Sequence, residues 1–279
     1  MKRRGVALVL VLWLIVVLGG IAAGVVAGTR SSSSLAANLR ARVVARYAAE
    51  SGIEAMRAAI EDSLGVLSDS STRFAYLNGL ERETATGDST VLGDSRFVVV
   101  VVDASARLDV NAAPVENLAR LFARFTDAGR ASAMARAIRL RIERGEASIS
   151  RGGEASMSRG GEASMSRDGV RPGTPGDEPR TVFPIRTLDE LRTLPGADAR
   201  VLQLAAPFLT VYGDGTINRA MASDTVMAAA FGELRDAPSR LVLVSRGWMR
   251  GHPLTHEVQG VFAISNNRLV LVQWRERTL

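Results

Sequence analysis

The chain has no cysteine. That excludes disulfide frameworks, thiolate metal sites and cysteine nucleophiles, although it names no compartment. Histidine is almost as scarce, with two copies, His252 and His256, four residues apart. That spacing would suit one face of a helix, but Pro253 and the apolar strand patterns on either side argue against one. Two ligands with no third nearby make a poor zinc site. A Ser-His-Asp arrangement fails for the same reason, since both histidines lie in one turn near the C-terminus. No GxxxxGK[ST] phosphate loop occurs. These gaps leave no residue set for catalysis, and the chain is expected not to be an enzyme. A last absence is positional: no charged side chain stands between Gly5 and Thr29.

Within that uncharged stretch, Val6 to Leu18 is nearly pure hydrocarbon and the apolar character continues more weakly to Gly28. About 20 apolar residues in a helix span a bilayer core. Lys2, Arg3 and Arg4 precede the run and Arg30 follows it, an asymmetry that predicts a cytoplasmic N-terminus with the body on the far side of the membrane. The formal net charge is +6, and Lys2, Arg3 and Arg4 supply half of it. The rest of the chain is only mildly basic, with arginine far outnumbering lysine, so a solvated surface explains it better than a nucleic-acid partner does.

Three readings compete for the first thirty residues. A secretory signal peptide would use Val25-Val26-Ala27 before Gly28 as its cleavage site, but the apolar run exceeds the usual h-region of about 7–15 residues. An uncleaved anchor is the second. In the third, Lys2-Arg3-Arg4-Gly5 followed at once by Val6-Ala7-Leu8 resembles a type IV prepilin leader. That resemblance implies cleavage by a membrane-embedded prepilin peptidase between Gly5 and Val6, with the apolar helix kept on the mature protein. Most pilins and pseudopilins carry Glu at the fifth mature position, which here is Leu10. A carboxylate in the bilayer is costly and is kept where it has a partner, so its absence fits a subunit with none ahead of it.

Beyond the span, Leu35, Leu39, Val43 and Tyr47 recur every four residues and lead to Ile53, Met56 and Ile60. This predicts an amphipathic helix continuing the span to about Gly65, one stripe of which packs on a globular head. Arg96-Phe97-Val98-Val99-Val100-Val101-Val102-Asp103 reads as an early strand, and Arg240–Trp248, Thr255–Ser265 and Arg268–Trp274 as three late ones. Asn266-Asn267 turns the last two into a hairpin. Helical patterns fill the middle. An eight-residue repeat beginning at Gly145, Gly153 and Gly161, followed by Pro172, Pro175 and Pro179, reads as a flexible insertion. One carboxylate per repeat is too few hard oxygens for calcium.

Leu108-Asp109-Val110-Asn111-Ala112-Ala113-Pro114 and the stretch Phe208–Gly213 with Thr216-Ile217-Asn218 and Ala222 resemble the two related helix-leading motifs of the minor pseudopilin K family of type II secretion systems (general secretion pathway protein K). Ala220 departs from that pattern, standing where a further Asn is usual. Leu188-Asp189-Glu190-Leu191 and Leu194-Pro195-Gly196 also fit, as does the missing Glu at Leu10. The resemblance implies an α+β fold: a pilin-like long N-terminal helix and antiparallel sheet, with an inserted all-α domain of the helix-hairpin-helix kind. The expected division is a leader at 1–5, a transmembrane half-helix at 6–28, the stalk and first part of the head at 29–106, the insertion at 107–235 with its repeat and linker at 145–180, and the rest of the head at 236–279.

The implied function is a structural subunit at the tip of the pseudopilus, anchored in the inner membrane with its head in the periplasm. The implied partners are other minor pseudopilins, through the N-terminal helix, and beyond them the secreted substrate or the outer-membrane channel. No cofactor is expected. Calcium is the one ion that the resemblance admits, and Asp94, Asp103, Asp109 and Asp214 are too scattered to name a site. Asp109, Asn111 and Asn218 are expected to cap short helices, with Pro114 tolerated within the first turn of its helix. The rival from another class is a membrane-anchored DNA-uptake receptor, since Leu188–Asp198 resembles a helix-hairpin-helix. Against it, that hairpin holds Asp198, lacks lysine and is followed by a sheet.

Overall fold

The computed structural model describes residues 4–144 and 183–279, with side chains for 10–25, 34–144 and 183–279. Helix α1 runs from Arg4 to Val66. A second helix, α2 (Ser70–Ala85), turns back at Asp69, whose carboxylate accepts from the Thr72 N–H at 3.0 Å. The chain then enters strands β1 (Thr90–Leu92) and β2 (Ser95–Asp103). It returns to the same sheet only with β7 (Arg240–Met249), β8 (Thr255–Ser265) and β9 (Arg268–Thr278). All neighbours are antiparallel in the order β1-β2-β7-β8-β9. Asn266 and Asn267 both adopt positive φ, 50° and 62°, the paired left-handed geometry that a two-residue hairpin needs.

Between β2 and β7 the chain makes a long excursion. It contains the helices α3 (Val115–Phe122), α4 (Ala128–Arg144), α5 (Ala199–Ala205) and α6 (Asp224–Ala229). It is not all-helical, as the sequence suggests. Four two-residue strands form two parallel pairs: β3 (Leu108–Asp109) with β4 (Leu209–Thr210), and β5 (Ile217–Asn218) with β6 (Leu234–Arg235). Such short pairs carry no periodicity to read and exist because distant segments meet. The repeat and linker at 145–180 lie outside the described residues.

The two largest cores among the described residues are separate. One is built within the excursion around Leu118, Leu121, Phe122, Ile138, Ile142 and Leu209. The other lies between α1, α2 and the sheet, around Ile53, Ile60, Leu80, Val101, Leu243 and Phe262.

The face that α1 turns to the sheet follows the expected stripe at Ile53 and Ile60, which are buried, and departs from it before them. Ala41, Ala45, Ala48 and Ala49 are buried, while Leu35, Leu39, Val43 and Tyr47 are exposed, Leu39 at 54% and Tyr47 at 64%. The reason is distance. A Cβ built on Gly247 of β7 would lie 2.4 Å from the Ala45 carbonyl oxygen and the Ala49 nitrogen, so helix and strand touch backbone to backbone. Gly52 is similar, its missing Cβ standing 2.3 Å from the Ser245 hydroxyl. Only small residues fit such an approach, which leaves the larger apolar stripe pointing away.

Candidate functional site

Two features of the fold bear on function: the exposed apolar length of α1 and the polar joint between the two cores. On α1, large apolar side chains from Leu10 to Val25 are exposed, Leu10 itself at 66%. Farther along, Leu35, Leu39, Val43 and Tyr47 are exposed as well. Where α1 reaches the sheet, Arg46 donates to Glu276 of β9 at 3.2 Å. A 2.8 Å bond from the Trp274 indole and the charge of Arg46 hold Glu276 below its ordinary pKa. Among the described residues no helix is long and apolar enough to cross a membrane. Lys2 and Arg3 lie outside the described residues. For Arg4, Gly5 and Val6 the helical backbone is described without side chains.

The residues that lead into helices do not cap them in the expected way. Asp109, at the end of β3, accepts from the Asn111 N–H at 2.9 Å, and its carbonyl accepts from the Ala113 N–H at 2.8 Å. Asn218, at the end of β5, repeats this arrangement: its side chain accepts from the Ala220 N–H at 3.2 Å and its carbonyl from the Ala222 N–H at 2.8 Å. Each closes a side-chain turn ahead of a helix. The caps themselves are Pro114, which makes no side-chain bond, and Ser223, which accepts from the Val226 N–H at 3.3 Å. The two turns are thus copies of one geometry, Asp109 matching Asn218, Ala113 matching Ala222, and Pro114 matching Ser223.

The copies differ in what they tie together. Asn111 joins three strands of chain: its amide donates to the Ile185 carbonyl at 3.0 Å, and its oxygen accepts from the Ile185 N–H at 2.8 Å. Its amide also reaches the Val211 carbonyl at 3.4 Å. Arg139 of α4 donates to the carbonyls of Asn111 and Ala113 from behind. Ala220 has no polar group to do the same, and the second copy uses Asn218 instead. Fully buried, Asn218 donates to Asp103 of β2 at 2.7 Å and to Asn78 of α2 at 2.8 Å. It thereby fastens the excursion to the sheet.

Around Asn218 lies a joint that the sequence did not announce. Ser105 and Ser239 share a hydroxyl contact of 2.8 Å, and the Ser239 N–H donates back to Ser105 at 3.0 Å. Ser239 and Thr216 donate to Asp214 at 2.9 and 2.7 Å. Arg240 donates to the Gly213 carbonyl at 2.6 Å. Burial pushes the Asp103 carboxyl above its ordinary pKa, against bonds from Asn218 and Ser105. Burial does the same to Asp109, against a bond from Asn111. For Asp214, burial is outweighed by Thr216, Ser239 and Arg240, and its pKa falls. Every carboxylate here is answered by hydrogen bonds from the protein. Asp94 stands apart, 3.5 Å from Arg250. Among the described residues no group of three or more His, Cys, Asp or Glu is placed to hold a metal ion.

The hairpin behind the DNA-receptor reading also has its amides filled. Gly196 takes positive φ at the turn, but the Asp198 carboxylate accepts from the Arg200 and Val201 N–H groups at 2.9 and 3.2 Å. Those are the donors that a phosphate would need, and the carboxylate repels one.

In fold the chain is similar to a chain in the crystal structure of the GspK-GspI-GspJ complex from the enterotoxigenic Escherichia coli type 2 secretion system, with a TM-score of 0.57 and 15% sequence identity. The superposition covers 89% of this chain and 99% of that one. No protein-family model matches the sequence, and no curated protein is similar to it in sequence. The fold is therefore pseudopilin-like, with helices packed on an antiparallel sheet.

Proposed function

We propose that this protein is a structural, non-enzymatic minor subunit of a type II secretion pseudopilus. It assembles with other pilin-like subunits through α1 and sits at the filament tip. The observation that carries the proposal is the apolar surface of α1 that the chain's own sheet leaves uncovered, from Leu10 to Val25 and on through Leu35, Leu39, Val43 and Tyr47. A row of exposed apolar residues at four-residue spacing on a helix suits packing against further helices. The likeness in fold to a chain of a complex of three such proteins supports the same reading.

The finer parts of the proposal rest on the sequence. Gly5 and Val6 flank the peptidase cut, the helix from Val6 onward anchors the subunit in the inner membrane, and the head stands in the periplasm. Leu10 presents no carboxylate to a subunit ahead. The bulk of the excursion between β2 and β7 would obstruct stacking of another subunit above, as a tip requires.

Lys2 is the chain's one lysine, which makes processing easy to read. The expected mature chain begins at Val6, contains no lysine and forms only where the prepilin peptidase is present. Intact mass and terminal sequencing of the protein, from membranes with and without that peptidase, check this. A mature chain beginning at Gly28, or an intact Met1 in both membranes, would remove the pilin reading.

A further inference from the structure

No aspartate or glutamate precedes Glu50 in the sequence. Between the apolar run and Glu50, α1 carries Arg30, Arg40, Arg42 and Arg46 and no opposing charge. Arg46 is engaged by Glu50 and Glu276 at 2.8 and 3.1 Å. Arg40 and Arg42 are exposed, and neither makes a hydrogen bond or ion pair among the described residues. Their places on the helix matter. Residues three and seven apart share a side of an α-helix. Arg42 therefore lies beside Leu35 and Leu39, on one flank of the exposed stripe, and Arg40 beside Val43 and Tyr47, on the other. The stripe is an apolar seam with an unpaired arginine along each flank, the arrangement by which paired helices choose their partners.

On the Arg42 side the seam opens into a cleft. Leu35, Leu39 and Arg42 line it from α1, and Pro253, Leu254 and Leu279 from the head. His252 faces the same cleft but is engaged: its Nδ1 accepts from the Leu254 N–H at 3.3 Å and its Nε2 stands 3.1 Å from the Asn38 amide oxygen. Arg42 forms no ion pair with Leu279. The cleft thus widens the apolar face on that flank and leaves the Arg42 guanidinium unanswered beside it.

We propose that this seam takes the N-terminal helix of a different pilin-like subunit, one that carries carboxylates beside its own apolar stripe, opposite Arg40 and Arg42. That the occupant is a helix rests on the reading of α1 as an assembly surface; the charges add which helix. A helix laid on the seam takes both guanidiniums partly out of water, and facing carboxylates offset that cost and reject like-charged partners. A second copy of this chain fails the requirement. It brings arginines to the same level, and its first carboxylates, Glu50 and Glu54, are held by its own Arg46 and Arg57. An anionic lipid surface fails by distance. Arg40 lies about 18 Å along the helix from the end of the apolar run at Gly28. A headgroup layer of about 5–7 Å and a Debye length of about 8–10 Å fall short of it.

The test places the photo-crosslinking residue p-benzoylphenylalanine at Leu39 of the full chain, in cells that carry it naturally. Leu140, exposed on α4, is the control position. The expected adduct joins Leu39 to the N-terminal helix of another polypeptide, at a residue with Asp or Glu within one turn of it. Arg40→Glu together with Arg42→Glu removes no hydrogen bond or ion pair among the described residues and should lower that adduct at least fivefold. Arg40→Lys together with Arg42→Lys should keep it. Arginine in place of the partner's carboxylate should restore the adduct in the doubly reversed chain. An adduct unmoved by charge reversal, or formed on a helix with no carboxylate within one turn, would overturn the charge selection and leave the assembly role of α1 standing. Adducts with lipid or with another copy of this chain would overturn the choice of occupant. No adduct above the control would remove the charge selection and the assembly role together.

Discussion

The two faces of α1 have opposite fates. One carries Ala41, Ala45, Ala48 and Ala49 and is buried against β7; the other carries Leu35, Leu39, Val43 and Tyr47 and is left in the open. On transfer free energy alone the leucine face should be the one inside, since a buried leucine side chain is worth about 1.5–3 kcal/mol. It is outside because Gly247 brings backbone to backbone and Gly52 admits the Ser245, Phe97 and Val99 side chains, and at that distance shape decides before hydrophobicity does. The difference separates two jobs on one helix. Between residues 35 and 49 small residues hold the chain's own fold and large ones are kept for something else, whereas farther along Ile53, Ile60 and Leu64 fill the core.

The largest effect is expected where the close approach is broken. Gly247→Val puts a branched side chain where a Cβ alone meets α1 backbone at 2.4 Å. Overpacking of this kind costs about 3 kcal/mol or more, a fall in Tm of about 6–12 °C by thermal unfolding in a protein of this size. The doubly substituted Leu39→Ser, Val43→Ser chain carries far more chemical change on the other face, yet its stability should move by no more than about 0.5 kcal/mol per site. Equal losses for the two variants would break the comparison.

A smaller effect concerns the polar joint, where burial is a cost rather than a gain. The Asp109 pKa is raised by burial, so the folded state holds its proton more tightly than the unfolded chain does. Stability from this group is complete below the ordinary carboxylate value of about 3.9 and declines as pH rises through the raised folded value. Asp109→Asn keeps an oxygen for the Asn111 N–H and does not titrate. Urea unfolding at several pH values should therefore show the wild type losing ground to Asp109→Asn as pH rises from the ordinary carboxylate value. A constant difference would contradict the burial cost.

What the sequence made legible follows the range of its signals. The β-branched run Val98–Val102 and the pair Asn266-Asn267 specify β2 and the last hairpin through local chemistry, and both are where the pattern puts them. The α+β character with an antiparallel sheet was legible for the same reason. The buried face of α1 was legible at Ile53 and Ile60 but not between residues 35 and 49, because periodicity finds apolar stripes but cannot rank a leucine stripe against an alanine stripe without the partner surface. Asp109 and Asn218 do stand just ahead of helices, but their side chains close turns, and Pro114 and Ser223 hold the cap positions. The joint was invisible. Ser105 and Ser239, or Asp103 and Asn218, carry no local signature and meet only after the two cores have formed.

The central claim is that the outward stripe of α1 is an assembly surface, and the lack of native cysteine lets it be tested without background. Single cysteines would be placed at Leu39, at Val43 and, on the buried face, at Ala45, and oxidised in membranes that contain other pilin-like subunits bearing matching cysteines on their own first helices. The account predicts disulfide-linked pairs from Leu39→Cys and Val43→Cys, and none from Ala45→Cys. No linked species from the outward positions, or the same yield from Ala45→Cys, would contradict it.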